Sequence, residues 1–252
     1  MGARMDNNLS RAVRVLKEDG ILSLLQSGFH FIYNRQIAPL FPRTNAEYNG
    51  VKVNDYSTYY FDSIVPWRIK KRPYYESGLI SGLEEHLKEG DRVAIIGGGW
   101  GVTAVKSAQI VGKSGKVIVF EGAADKISHI QETVTMNKVS NNVDVDHCIV
   151  GPVMNLRSEA GGAKHISPDK LPECDVLELD CEGAEIEILK NMTIRPRVIL
   201  VESHGMYDAP SSKIENILID NSYSVKLKEV ADKGNRKKCI DNDIYSISAV
   251  LE

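Results

Sequence analysis

The chain has 252 residues, of which 42% are hydrophobic and 26% charged, with a formal net charge of −3 at pH 7. That is enough chain for one substantial core plus an appendage, in the composition of an ordinary soluble globular protein. The slightly acidic balance argues against a general nucleic-acid binder, because no basic field is left to neutralise phosphates. No run reaches the roughly 18 uncharged apolar residues that a membrane-spanning helix needs. No secretory leader is evident at the start. Cys148, Cys174, Cys181 and Cys239 lack C-x-x-C or metal-ligand spacing, so free thiols in a reducing, cytoplasmic setting are expected.

Leu9, Ala12, Val13 and Leu16 fall at helical spacing, with Arg11, Arg14 and Lys17 opposite, and Gly20 is expected to end that helix. A second apolar stretch, Ile21 to Tyr33, sets Leu24, Leu25, Phe29 and Ile32 along one side, closed by Pro39 and Pro42. The preferred reading is a helical pair packed on the main domain or on a second subunit. The alternative is peripheral membrane contact through residues 21–33, since basic and aromatic residues accompany the apolar face. Tyr48 to Val53 reads as a hairpin, because Asn49-Gly50 supplies the positive φ angles of a tight turn. Tyr56 to Tyr75 is aromatic and basic, fitting either a stacking face for sugars or a strap along the core. Residues 1–75 thus form an N-terminal extension and 76–252 the main domain.

From Tyr75 the pattern becomes regular. A helix to Leu87 leads through Gly90-Asp91 into the apolar run Val93–Ile96, a strand buried on both faces. Glycines follow at 97, 99 and 101, then a helix over Val102–Val111 and a strand over Lys116–Phe120 that ends on Glu121. Strand, glycine turn, helix, strand and carboxylate open a nucleotide-binding α/β sheet. A Cβ at those glycines would block approach of a ligand to the backbone, and Glu121 sits where it can accept from both hydroxyls of a ribose. Further strands are expected at Val143–Val150, Asp175–Asp180, Arg197–Glu202, Tyr223–Val230 and Ile244–Val250, with helices at Asp125–Asn137, Ala184–Asn191 and Ser211–Asn221. Gly161-Gly162 marks a loop beside the cofactor, and Ser167–Lys170 a helical turn. The last two strands follow one another without a clear helix, which suggests an antiparallel edge hairpin, with Arg236-Lys237-Lys238 as a solvated loop.

The glycines run G-x-G-x-G, with Val102 where a dinucleotide fingerprint wants its third glycine. Two acidic strand ends follow: Asp180-Cys181-Glu182-Gly183-Ala184-Glu185 and Glu202-Ser203-His204-Gly205. Asp180, Glu182, Glu202 and His204 should converge beside the crevice of the sheet. The acids also suit a plainer role as helix caps, Cys181 reads as core, and the same four residues suit a divalent ion that holds sugar hydroxyls. No metal is assigned.

VAIIGGGWG, VIVFEG, DVLELDCEGAEIEILKN and VILVESHG resemble the motifs of FkbM-type methyltransferases, over roughly Gly90 to Leu251. The resemblance implies a class I methyltransferase (Rossmann-like) fold, a seven-stranded, mostly parallel sheet whose last strand is antiparallel, and S-adenosylmethionine as cofactor. It implies a cofactor site of Gly97, Gly98, Gly99, Trp100, Gly101 and Glu121, with Gly122, Ala123, Ile149 and Val150 bordering the adenine and Asp180 near the transferred methyl. Many relatives carry an acid two residues before the first glycine, where this chain has Ile95. The family typically methylates hydroxyl oxygens of sugars or glycans. His204 is then the expected base, since its unperturbed pKa lies near working pH, with Glu202 or Glu182 to orient it or hold the acceptor. The competing expectations are esterification of a sugar carboxylate, a nicotinamide-dependent sugar oxidoreductase, and a non-catalytic adenosyl-binding scaffold.

Overall fold

A computed structural model describes residues 20–22, 25, 28–29, 43–55, 59–60, 67–68, 71–152 and 161–252. By compactness the chain divides into two units, residues 1–46 with 54–70, and residues 47–53 with 71–252. In the first unit, residues 20–22, 25, 28 and 29 are helical, and Ile21, Leu22, Leu25 and Phe29 are exposed. Gly20 has φ 82°, and the helix it was expected to end falls among residues 1–19, outside the described residues. The helix expected at Leu9–Leu16 lies outside the described residues, as does most of the aromatic stretch after Tyr56. Of that stretch, β3 (Tyr59–Tyr60) and β4 (Trp67–Arg68) pair antiparallel.

The second unit begins with the hairpin tip. β1 (Thr44–Tyr48) turns through Asn49 (φ 47°) and Gly50 (φ 80°) into β2 (Val51–Asp55), the positive-φ pair that Asn-Gly permits. Tyr48 pairs in parallel with Arg72 of β5 (Lys71–Arg72), and the Asn137 side chain brackets Lys52 through both its N–H and its carbonyl. The tip is therefore tied to the body by backbone bonds.

The body is one eight-stranded sheet, in order β12-β13-β11-β10-β6-β7-β8-β9. Its strands are β6 (Arg92–Ile96), β7 (Lys116–Glu121), β8 (Val143–Val150), β9 (Lys164–Ile166), β10 (Val176–Leu179), β11 (Val198–Glu202), β12 (Tyr223–Val230) and β13 (Tyr245–Leu251). All run parallel except β13, which is antiparallel to both β11 and β12. Seven of these were expected. The short β9, extending the sheet beside β8, was not, because three residues give no readable alternation.

Central strands β6, β10 and β11 are buried from Val93 to Ile96, Val176 to Leu179 and Val198 to Val201, as their near-continuous apolar sequences require. Glu178, in register between Ile95 and Leu200, is the exception and is fully buried. Helices α1 (Ser77–His86), α2 (Val102–Val111), α3 (Ala124–Met136), α4 (Glu185–Asn191) and α5 (Ser211–Asp220) cover the sheet. Helix α1 rides close on it: a Cβ at Gly78 would stand 2.6 Å from Ser246, and one at Gly82 would stand 2.8 Å from Leu200. The loop expected at Arg236–Lys238 is instead the start of a short helix, α6 (Arg236–Asp241), between β12 and β13. Six residues are too few to show helical periodicity in a sequence. All four cysteines are free. Among the described residues no helix is long and apolar enough to cross a membrane.

Candidate active site

The chain leaves β6 for β7 and β8 on one side, then returns to β10 on the other. That reversal opens a crevice at the carboxyl ends of β6 and β10. A cavity of about 330 Å³ lies there, within the size range of small-molecule sites.

The glycine turn forms its floor, but for reasons the sequence reading did not anticipate. A Cβ on Gly97 (φ 94°) would stand 1.9 Å from the Asp180 carbonyl oxygen. One on Gly98 would meet Ile130 and Val119 at 2.5 and 2.6 Å, and one on Gly101 would meet Ile130 at 3.2 Å. These three glycines let the turn pack against β10, β7 and α3. Gly99 alone has ordinary clearance, 3.6 Å to Glu76, and it faces the cavity with Gly97 and Trp100. Gly98 and Gly101 do not line it. The Trp100 ring stacks on His129 at 4.7 Å between centroids, with the Lys126 ammonium 4.3 Å from its own centroid.

Glu121 ends β7 and is 7% exposed. Its Oε2 accepts from the Gly98 and Gly99 N–H groups at 3.0 and 3.2 Å, and Oε1 accepts from Ala123 N–H at 2.8 Å. This carboxylate clamps the turn as well as facing the cavity. Phe120, Gly122, Ala123, Ile149 and Val150 complete an apolar end beside it.

Asp180, Glu182 and Glu202 also line the cavity, Asp180 directly beside Gly97. Glu182 has φ 52°, a conformation unusual for a residue with a Cβ, at the turn into α4. At the start of α4 the acid that takes the turn's N–H groups is Glu185. Glu185, fully buried, takes the N–H groups of Cys181 at 3.0 Å and Gly183 at 2.7 Å, and meets His204 Nδ1 at 3.0 Å. His204 is 4% exposed and does not line the cavity, so the residue expected to face the acceptor stands behind the wall. Its Nε2 is 3.5 Å from Asp180 Oδ1 and 3.6 Å from Glu202 Oε1. Burial works to lower the His204 pKa. The hydrogen bond to Glu185 and the charges of Asp180, Glu185 and Glu182 outweigh it and hold the ring above its usual value. Cys181 packs on the core yet also reaches the cavity.

Glu76, Lys126, Asp232 and Asn235 line the cavity without having been singled out, as do Tyr75, at the end of the aromatic stretch, and Lys238, which was expected in a solvated loop. Their signals are weak in sequence, because they come from segments next to core elements and from the short α6. Glu185 had a visible signal, the third acid of D-C-E-G-A-E, but its inward direction is a tertiary fact.

A mostly parallel sheet, one antiparallel strand inserted between β11 and β12, and a glycine turn at the switch point define the class I methyltransferase fold. No protein-family model and no curated protein matches the chain. Among solved structures it is similar to a SAM-dependent methyltransferase from Aquifex aeolicus, at 15% identity and a TM-score of 0.46, covering 69% of this chain and 89% of that one. It is similar to a SAM-dependent O-methyltransferase from Thermotoga maritima at 17% identity and a TM-score of 0.46, over 70% of this chain and 64% of that one. Fibrillarin from Aeropyrum pernix, solved with natively bound S-adenosyl-L-methionine, matches at 16% identity and a TM-score of 0.46, over 84% of each chain.

Proposed function

We propose that the chain is an S-adenosylmethionine-dependent O-methyltransferase of the FkbM type that transfers a methyl group to a hydroxyl of a sugar or glycan, with residues 76–252 as its catalytic domain. The observation that carries this reading is one cavity lined by the glycine turn and Glu121 together with Asp180, Glu182 and Glu202. Adenosine fits the end bordered by Gly122, Ala123, Ile149 and Val150. Glu121 keeps lone pairs for the ribose hydroxyls while its N–H partners hold it in place. The sulfonium methyl then faces the acidic wall, whose carboxylates suit a polyhydroxylated acceptor.

Attack needs an in-line oxygen and a group to take its proton, and positioning supplies much of the acceleration. Asp180, Glu182 and Glu202 face the acceptor side of the cavity, so the proton passes to a carboxylate, Glu182 being the one set apart from the imidazole. His204 acts through Asp180 and Glu202 as a positioning residue.

Purified protein incubated with methyl-labelled cofactor and glycan acceptors should label the glycan and release S-adenosylhomocysteine. Alkali-stable label marks an ether and alkali-labile label an ester, the competing carboxylate chemistry. Uptake of a nicotinamide dinucleotide in place of the methyl donor would sink the proposal. Peripheral membrane contact through residues 21–33 is supported by the exposed Ile21, Leu22, Leu25 and Phe29. Co-sedimentation with anionic vesicles that is lost in Ile21→Glu/Leu25→Glu is the expected outcome, and no sedimentation of the wild type rules it out.

A further inference from the structure

We propose that Asp180, Glu202 and His204 form a binding site for one first-row divalent cation on the cavity wall, with buried Glu185 as the carboxylate that aims the imidazole. One ligand atom from each of the three lies within 4.8 Å of the others. Adjacent ligands on an ion at about 2.1 Å sit about 3 Å apart, so the 3.5 and 3.6 Å separations from Nε2 close on a cation with small side-chain movements.

The independent observation is the direction of the histidine. Glu185 already accepts two backbone N–H groups, so in its 3.0 Å contact with His204 the proton belongs to Nδ1. Nε2 is left pointing between two carboxylates, at distances too long for a strong hydrogen bond to either. A carboxylate fixing one ring nitrogen so that the other can ligate is the usual second layer of a metal-bound histidine. Side-chain exposure falls from 19% at Asp180 and 13% at Glu202 to 5% at His204, so the imidazole closes the back of the site and the open positions face the cavity. One nitrogen and two carboxylate oxygens suit Mn²⁺ or Zn²⁺.

What the ion does rests on the methyltransferase reading; that it binds does not. An acceptor oxygen on an open position becomes more acidic and gives its proton to Glu182. The oxygen–carbon bond then forms as the sulfur–carbon bond breaks, and the bonding pair returns to sulfur to leave a neutral thioether.

The test is Mn²⁺ uptake by chelator-treated, full-length protein, followed by loss of the free-ion paramagnetic resonance signal, with Zn²⁺ as competitor. One Mn²⁺ per chain is expected at micromolar affinity. Glu202→Gln and His204→Ala should each lose at least tenfold, and Glu185→Gln about tenfold, with cofactor affinity measured calorimetrically to show that each variant is folded. Asp180→Asn serves where His204→Ala fails to fold. If the wild type takes up cofactor but neither ion below millimolar concentration, the three groups are an imidazolium–dicarboxylate cluster and the site is wrong. Methyl transfer at full rate in excess chelator overturns the ion's part in the reaction while leaving the methyltransferase reading intact. Mn²⁺ uptake without cofactor uptake leaves the ion site standing and removes that reading.

Discussion

Glu121 and Glu178 show how differently two buried acids behave in one sheet. Glu121 has three N–H partners, so its charge is solvated by the backbone. Glu121→Ala removes both the turn clamp and the proposed ribose acceptor, and calorimetry should show S-adenosylmethionine affinity falling about 10- to 100-fold. An unchanged affinity would place the nucleoside elsewhere. Neither carboxyl oxygen of Glu178 meets a partner in hydrogen-bonding geometry, and burial pushes its pKa from 4.5 to about 8, against a pull from the nearby Thr103 hydroxyl and with a push from Asp180. A carboxyl whose folded pKa lies above its unfolded value costs nothing below pH 4.5. Its cost grows as pH rises and levels off above about 8. In chelator-treated protein, Glu178→Gln should therefore gain little stability over wild type at pH 4 and most at pH 8 to 9, on the order of a few kcal/mol. A gap independent of pH would show that Glu178 titrates in the folded chain as it does in the unfolded one.

At the scale of elements, the glycine turn is governed by its own packing before any ligand arrives. Gly97→Ala drives a methyl into the Asp180 carbonyl and should cost about 3 kcal/mol or more in urea denaturation. Gly99→Ala meets nothing closer than 3.6 Å and should cost only about 1–2 kcal/mol of backbone strain at φ 52°, while weakening cofactor binding more than it weakens the fold. Equal stability losses at both positions would contradict this division. The hairpin at Asn49-Gly50, the helix over Val102–Val111 and the strand over Val143–Val150 were legible because turn chemistry and periodicity agree there. β9 and α6 were not, since three and six residues fall below a readable period.

For the whole molecule, a ligand that binds only the folded state must stabilise it. At a hundred times its dissociation constant, S-adenosylmethionine or its spent form should add about 2.7 kcal/mol, raising Tm by roughly 5–10 °C for a chain of this size, while a nicotinamide dinucleotide adds nothing. The reverse ranking would overturn the proposed function.

The order of strands and helices, the glycine turn, the carboxylate after the second core strand and the two acidic strand ends were all set by local pattern: alternation, turn residues and charge placed where a buried strand stops. Which acids line the cavity was settled only when β10 and β11 came side by side. That pairing put Asp180, Glu182 and Glu202 on the cavity and turned His204 behind them onto Glu185. A sequence specifies that a side chain is charged; its direction depends on which neighbouring strand offers it a partner, and those partners lie many residues away.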